Sequence, residues 1–553
     1  MQVSEIFLLT IDIQAVKFYT VFIRKRGFGM GYEFERTSCC ESGINPKAIY
    51  DFITHAEKDN LGIDAFMLLK GGKVVAEGCH APYTVNTPHV LYSMSKSITS
   101  LALGYAIADG KVSLDDSVCD YFGEYDKHGR NEKITVRHLV TMTADKMVGM
   151  AKNRHHKDWI KIFFDAPFIA KPGSLYLYTN DNFYMLSAIV SKVYGETLVD
   201  FLYPRLFEPL EIEKPVWETD DFGYAAGGWG LYMTATDVAK IMQCCANGGK
   251  WEGKQVIPAE WLEVATKYQV PTVKKGQIDV TKGYGYGFWR TSVPDSYRAY
   301  GLHGQLGYVF EKKDTVLVVL AGISKDELLS LAVDKMCETL WDEPQEEYEE
   351  KLKVLLASLG DKDNLPIEPR STELEKKYSQ KALKTRSSMF ASMLHATMST
   401  VMNEPSGRTD RFILSLEKND DLSLMWKEGF DVNNIKLGMN NEYVYNPVHL
   451  AGMKFTACTK AAWTTPRVLT VYVRLLEGCH VRRLVFVFDK EGKVIIRNDS
   501  FPDMPTLAVH YVDFSGFPLS PPLEKLLKKY IAPGVLLLGE PNFKIKKLFD
   551  DLL

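Results

Sequence analysis

The sequence predicts an α/β unit of the α+β kind, an antiparallel sheet carrying a helical insertion, followed by a C-terminal antiparallel β region. Three observations point there. Two short apolar runs, Phe66-Met67-Leu68-Leu69-Lys70 and Lys73-Val74-Val75-Ala76-Glu77, are joined by Gly71-Gly72, a two-residue link suited to a tight hairpin. A second pair, Tyr308-Val309-Phe310 and Thr315-Val316-Leu317-Val318-Val319-Leu320, lies far downstream around Glu311-Lys312-Lys313-Asp314, with mostly helical and loop patterns in between. Strands at both ends of one region imply a single sheet assembled from those ends. From about residue 411 to 510 the pattern becomes alternating, as in Arg411-Phe412-Ile413-Leu414-Ser415-Leu416, Val468-Leu469-Thr470-Val471-Tyr472-Val473 and Leu484-Val485-Phe486-Val487-Phe488. Short strands separated by turn signals read as a small barrel or sandwich.

At 553 residues the chain exceeds one ordinary core, so several domains are expected. Residues 1–44 read as an N-terminal extension. Its apolar stretch 6–22 is interrupted by Asp12 and Lys17, and the basic cluster Arg24-Lys25-Arg26 follows it, the wrong order for a secretory signal. No other segment reaches the apolar length that spans a bilayer. Residues 45–341 form the α/β unit, with a helix over 46–59, the first hairpin, a helix that opens at Ser93 and closes on Gly110, a turn over 172–182, a helix over 185–193, the second hairpin, and a helix over 327–340. Residues 342–384 are rich in Glu, Lys and Asp and broken by Pro366 and Pro369, which reads as a charged, partly helical linker. Residues 385–553 form the β-rich region and end in a basic, amphipathic, partly helical segment over 523–553.

Composition narrows the function classes. The formal net charge is −4 and no basic tract stands out, so nothing points to nucleic acid or to an anionic membrane surface as a partner. Nine cysteines, including the pairs Cys39-Cys40 and Cys244-Cys245, show no C-x-x-C spacing, and are expected as reduced thiols in a cytoplasmic protein. The pair His155-His156 has no further ligands around it, which favours a surface over a metal site. Residues 248–254 fit Gly-x4-Gly-Lys, but Gln255 stands where a magnesium-binding hydroxyl belongs, so an ordinary loop is expected there. Neither Gly-x-Ser-x-Gly nor His-Glu-x-x-His occurs. No cofactor and no metal are expected.

The chemistry starts at Ser93-Met94-Ser95-Lys96. Residues three apart share a helix face, so the Lys96 amine can lie over the Ser93 hydroxyl and take its proton if the lysine is neutral. Lys96 sits among Met94, Ile98 and Leu101, a segment that reads as buried, and burial depresses a lysine pKa. A helix start also supplies unpaired N–H groups that can meet an oxyanion. A second cluster, Tyr176-Leu177-Tyr178-Thr179-Asn180-Asp181-Asn182, places a phenol and amides in a turn. A tyrosine beside a Ser/Lys pair can pass a proton to a leaving group, and an amide can orient substrate. Trp229, Trp289 and the run Tyr284-Gly285-Tyr286-Gly287-Phe288 could line a cleft, although aromatics are more often core.

Taken in order, these motifs resemble the serine hydrolases of the class C β-lactamase and penicillin-binding-protein group, with their esterase and peptidase relatives, over roughly residues 45–341. Leu91-Tyr92-Ser93-Met94-Ser95-Lys96-Ser97-Ile98-Thr99 is similar to the first motif, and Tyr178-Thr179-Asn180 to the second. The resemblance implies a β-lactamase/transpeptidase-like fold, Ser93 as the acylated nucleophile, and Lys96 and Tyr178 as the catalytic groups that move its proton, with Asn180 at the substrate. The stretch over 136–143 resembles the helix that usually ends in Ser-Gly, here replaced by Ala144-Asp145, and residues 227–239 also look like family structure. At the third motif the chain departs from Lys-Thr-Gly or His-x-Gly: with the glycine aligned on Gly301, Ala299 stands where a cation belongs, and His303 or Arg298 would have to supply it. Gly301, Leu302, His303 and Gln305 are expected at the substrate, the Leu302 and Ser93 N–H groups forming an oxyanion hole. The expected function is hydrolysis of a small ester or amide through an acyl-enzyme. The alternative is a family member that has lost catalysis and acts as a binding or regulatory protein. The role of the β-rich region is open between a lid, a contact in a homo-oligomer and ligand capture.

Overall fold

The computed structural model describes residues 33–146, 158–272, 282–361, 364–384 and 411–503, together with isolated positions between 392 and 409 and at 522 and 525. The apolar stretch 6–22, the pair His155-His156 and nearly all of the segment 523–553 lie outside the described residues.

Helix α1 (Pro46–Lys58) starts at Asn45, whose side chain accepts from the Lys47 N–H, with Pro46 in the first turn where a missing N–H costs nothing. Strands β1 (Ile63–Lys70) and β2 (Lys73–Cys79) pair with Lys70 opposite Lys73. Their link needs two left-handed residues, and Gly71 and Gly72 have φ of +59° and +75°. The insertion carries α2 (Ser95–Ala108), α3 (Asn180–Tyr194) and α4 (Ala235–Ala246). Helix α2 is buried continuously from Ser95 to Ala106, because α3 and other insertion elements enclose it.

The chain returns to the sheet through β3 (Trp289–Arg290), β4 (Ser296–Gly301), β5 (Gln305–Phe310) and β6 (Thr315–Ala321). The six-stranded sheet runs β2-β1-β6-β5-β4-β3. Phe66 of β1 faces Val319 of β6 across an antiparallel ladder, so the two ends do form one sheet. Strand β1 is buried from Ile63 to Leu69, on alternating sides of the pleat, which requires cover on both faces. Helix α4 lies across β5, β6 and β1, while α5 (Asp326–Cys337) and α6 (Glu347–Ala357) pack with α1. The charged stretch after residue 342 therefore contains a helix docked on the first region, and the Glu349 carboxylate accepts from the Cys39 and Cys40 N–H groups.

The C-terminal region comprises two antiparallel sheets. The first orders β7 (Lys381–Lys384), β8 (Arg411–Leu416), β9 (Leu422–Glu428) and β10 (Asp431–Lys436). The second is a meander of β11 (Val444–Leu450), β12 (Met453–Thr465), β13 (Val468–Leu475), β14 (Val481–Phe488) and β15 (Val494–Phe501). Their pairings make two open sheets, and no closed barrel is formed among the described residues. Both sheets feed one core around Leu414, Leu424, Trp426, Trp463, Leu469 and Phe486. Each such side chain contributes about 1.5–3 kcal/mol on full burial, and all nine cysteines are free thiols. No helix among the described residues is long and apolar enough to cross a membrane.

Candidate active site

Ser93 lies in a 3-10 turn, Tyr92–Met94, that runs directly into α2. The geometry follows from the spacing: Lys96 Nζ is 2.9 Å from Ser93 Oγ. Nζ also lies 2.6 Å from Asn180 Oδ1 and 2.7 Å from the Gly228 carbonyl. Those two oxygens can only accept, so they consume two N–H bonds of the amine. In a neutral lysine the remaining lone pair then faces the one partner that can donate, the Ser93 hydroxyl. Burial drives Lys96 well below its ordinary pKa, opposed by the charge of Asp181. Asp181 is buried beside it and pushed up to about 7 by the same desolvation, with Lys96 pulling the other way.

Asn180 and Tyr178 come from the entry to α3. The turn before the helix is held by Asp145, whose carboxylate accepts from the Ser174 N–H at 2.8 Å and the Leu175 N–H at 3.2 Å. Asp145 sits at φ +57°, a left-handed backbone state that aspartate tolerates better than most residues other than glycine. The Tyr178 ring lies 4.8 Å from Lys96 Nζ and 5.5 Å from the Trp289 ring, with Tyr284 edge-on at 6.2 Å. These aromatics form a wall beside the pair. Gly228 must be a glycine, since a Cβ there would meet the Asn180 carbonyl at 2.8 Å.

The third-motif residues are placed differently from the first two. Gly301 ends β4 against the segment that precedes the serine, where a Cβ would approach the Leu91 carbonyl to 2.1 Å. Leu302 packs against the C-terminal core. His303 is fully buried at φ +67°, its Nδ1 3.0 Å from the Ile323 carbonyl and its ring 5.3 Å from the Tyr92 ring. Gln305 Nε2 donates to the Leu302 and Ala321 carbonyls at 3.1 and 2.7 Å. Arg298 is also buried, and its guanidinium bonds Ser330 Oγ at 2.8 Å and the Tyr308 hydroxyl. Ser93, Lys96, Tyr178 and Asn180 thus converge, while His303 and Gln305 are engaged with protein groups behind them. Asp181 and the Gly228 carbonyl escaped sequence reasoning: Asp181 read as a turn residue, and a backbone acceptor leaves no trace in side-chain chemistry. A further group, His303, Cys479 and His480, is buried with ligand-type atoms within 4.8 Å of one another. It is the set that could hold a metal ion among the described residues, and no sequence spacing reveals it because its members come from both regions.

The profile of the Beta-lactamase family matches residues 55–328. Among curated proteins, the chain is 25% identical over 285 residues to the 6-aminohexanoate-dimer hydrolase of Paenarthrobacter ureafaciens, covering 47% of this chain and 72% of that protein. It is 29% identical over 184 residues to the Beta-lactamase of Escherichia coli, covering 29% of this chain and 48%, under half, of the other. Among solved structures, a penicillin-binding protein homologue from Caulobacter crescentus superposes with a TM-score of 0.45 at 16% identity, over 54% of this chain and 99% of the other.

Proposed function

Through residues 55–328 the chain belongs to the Beta-lactamase family, and from that premise we propose that it is a serine hydrolase that cleaves a small ester or amide through an acyl-enzyme on Ser93. The observation that carries this reading is the 2.9 Å contact between Lys96 Nζ and Ser93 Oγ, made by a lysine whose burial favours the neutral amine. Ser93 Oγ attacks the substrate carbonyl carbon while its proton passes to Lys96. Lys96 and Tyr178 deliver that proton to the leaving group as the acyl bond breaks. Water then attacks the ester carbonyl on Ser93, the same groups taking a proton from that water and passing it to Oγ as the acyl–Oγ bond breaks and the acid leaves. The Ser93 and Leu302 N–H groups are assigned to the oxyanion, and Asn180 to fixing both the amine and the substrate.

Two features favour an uncharged acyl group. Ala299 offers no cation where the family motif has one, and the wall of Tyr178, Tyr284 and Trp289 is apolar on its faces. Hydrolysis of a small amide is consistent with the name of the Paenarthrobacter ureafaciens relative, a 6-aminohexanoate-dimer hydrolase. Incubation with a fluorophosphonate or a penicillin probe, followed by peptide mapping, tests the reading. The expected result is a single adduct at Ser93. Absence of an adduct there, under conditions that label a control serine hydrolase, overturns it.

A further inference from the structure

Residues 476–480, the link between β13 and β14, leave the C-terminal region and enter the back of the serine site. The Val90 N–H donates to the Glu477 carbonyl at 2.7 Å. The Tyr83 hydroxyl donates to the Gly478 carbonyl at 2.9 Å. Gly322, just past β6, comes so close that a Cβ on it would lie 2.3 Å from the Cys479 carbonyl. His480 Nε2 is 2.6 Å from the hydroxyl of Tyr92, the residue directly before the serine. The Tyr92 ring is edge-on to both His303 and His480. Val90, Tyr92 and Tyr232 belong to the hydrophobic cluster of the C-terminal region, not to that of the first region. The flank of the nucleophile is thus built into the other region's core.

Tyr92 has φ of +45°, a left-handed state that is strained for a bulky residue and persists only where surroundings impose it. The peptide that follows Tyr92 carries the Ser93 N–H. The Tyr92 backbone angles therefore aim that N–H and start the turn that presents Ser93 Oγ to Lys96. Relaxation of Tyr92 to an ordinary conformation would swing this peptide away. Its side chain is what the C-terminal region grips.

We infer that His480 is a positioning residue for Ser93: its hydrogen bond to the Tyr92 hydroxyl holds Tyr92 in the left-handed conformation that aims the Ser93 N–H and hydroxyl, so the serine site is complete only with the C-terminal region in place. This rests on the reading of Ser93 as the acylated residue. It also assigns a use to the cluster of His303, Cys479 and His480, which otherwise resembles an N/S/N metal set.

The test uses the full chain and the rate of fluorophosphonate labelling at Ser93. His480→Leu and Tyr92→Phe should each slow labelling by about 10- to 100-fold, the scale of a misplaced reacting group. The double variant should fall no further than either single one, because both remove the same contact. His480→Gln, whose side-chain amide can reach the position of Nε2, should recover most of the rate. Far-UV circular dichroism should be that of the wild type throughout. Should His480→Leu fail to fold, Tyr92→Phe, which keeps the ring and its packing, decides alone. Wild-type labelling in a folded single variant overturns the inference. So does one zinc per purified chain with labelling abolished by a chelator, since ligation and not the Tyr92 bond would then hold His480. Failure of the wild type to label at Ser93 is a different result and removes the acyl-enzyme reading itself.

Discussion

Two buried lysines in the first region show the same perturbation and sit in opposite chemistry. Lys96 and Lys146 are both almost inaccessible, and burial is the largest cause that pulls each pKa down, Lys146 to about 8. Lys146 Nζ donates to Asn131 Oδ1 at 2.6 Å and to the Phe164 carbonyl at 2.9 Å, with the rings of Phe163 and Phe168 each 4.9 Å away. Every neighbour there accepts from, or attracts, a cation. Lys96 has neighbours of that same kind, two acceptors, the ring of Tyr178 and the charge of Asp181, and in addition one hydroxyl, that of Ser93. A depressed lysine pKa is therefore not in itself a mark of catalysis; a partner with a proton to give is what separates the two sites.

The comparison breaks most sharply at Lys96. Lys96→Ala should lower the labelling rate at Ser93 by about 10²- to 10⁴-fold, the range of a lost general base. The same change removes this donor from the buried Gly228 carbonyl, at a cost of about 1–3 kcal/mol for a buried acceptor that loses its partner. Denaturant unfolding should still show a cooperative transition, so that loss of rate is separable from loss of fold. Labelling at the wild-type rate would remove Lys96 from the mechanism.

Legibility from sequence followed distance along the chain. The Ser93–Lys96 contact is readable because three residues on a helix face is a local relation, and the Gly71-Gly72 hairpin because its turn demands left-handed residues at both positions. The pairing of β1 with β6 was inferable from strand-like runs at both ends of one region. The start of α3 was less visible: the helix was expected over 185–193 and begins at Asn180. Asn180, Asp181 and Asn182 carry side chains that compete for backbone groups and so read as a turn, yet a helix's first turn has unpaired N–H groups and tolerates them. The grip of 476–480 on Tyr92 was not legible at all. Tyr92 and His480 are 388 positions apart, and nothing in the periodicity of either segment encodes the other.

Asp181 gives a finer test of how the Lys96 site is tuned. Its anionic form favours the ammonium of Lys96, and it is anionic above about pH 7. Asp181→Asn removes that charge, so Lys96 should lose its proton at lower pH. In the proposed mechanism labelling requires the neutral amine, so its rate should rise as pH passes upward through the Lys96 pKa. The rising limb of the pH–rate profile should move to lower pH in the variant, with the gain confined to the window above about pH 7 where the wild-type carboxylate is charged. A rising limb that stays in place or moves to higher pH would detach Asp181 from Lys96.

The smallest effect on chemistry is expected at Lys146, and there the comparison predicts a change of another kind. Lys146→Met keeps the bulk between Phe163 and Phe168 but leaves Asn131 Oδ1 and the Phe164 carbonyl without this donor. Stability should fall by about 1–3 kcal/mol in denaturant unfolding, while labelling at Ser93 stays within about twofold of wild type, as for a change that leaves the reacting groups in place. The loss should also depend on pH. The folded lysine gives up its proton near pH 8, whereas the unfolded chain holds it to about 10.5. Between those values the unfolded wild type binds more protons than the folded one, so the wild type gains stability as pH rises and the variant does not. The gap between them should widen above about pH 8. A gap that stays constant would mean that Lys146 is not carrying a desolvated charge, and a tenfold loss of labelling would mean that the two lysines are not separate sites.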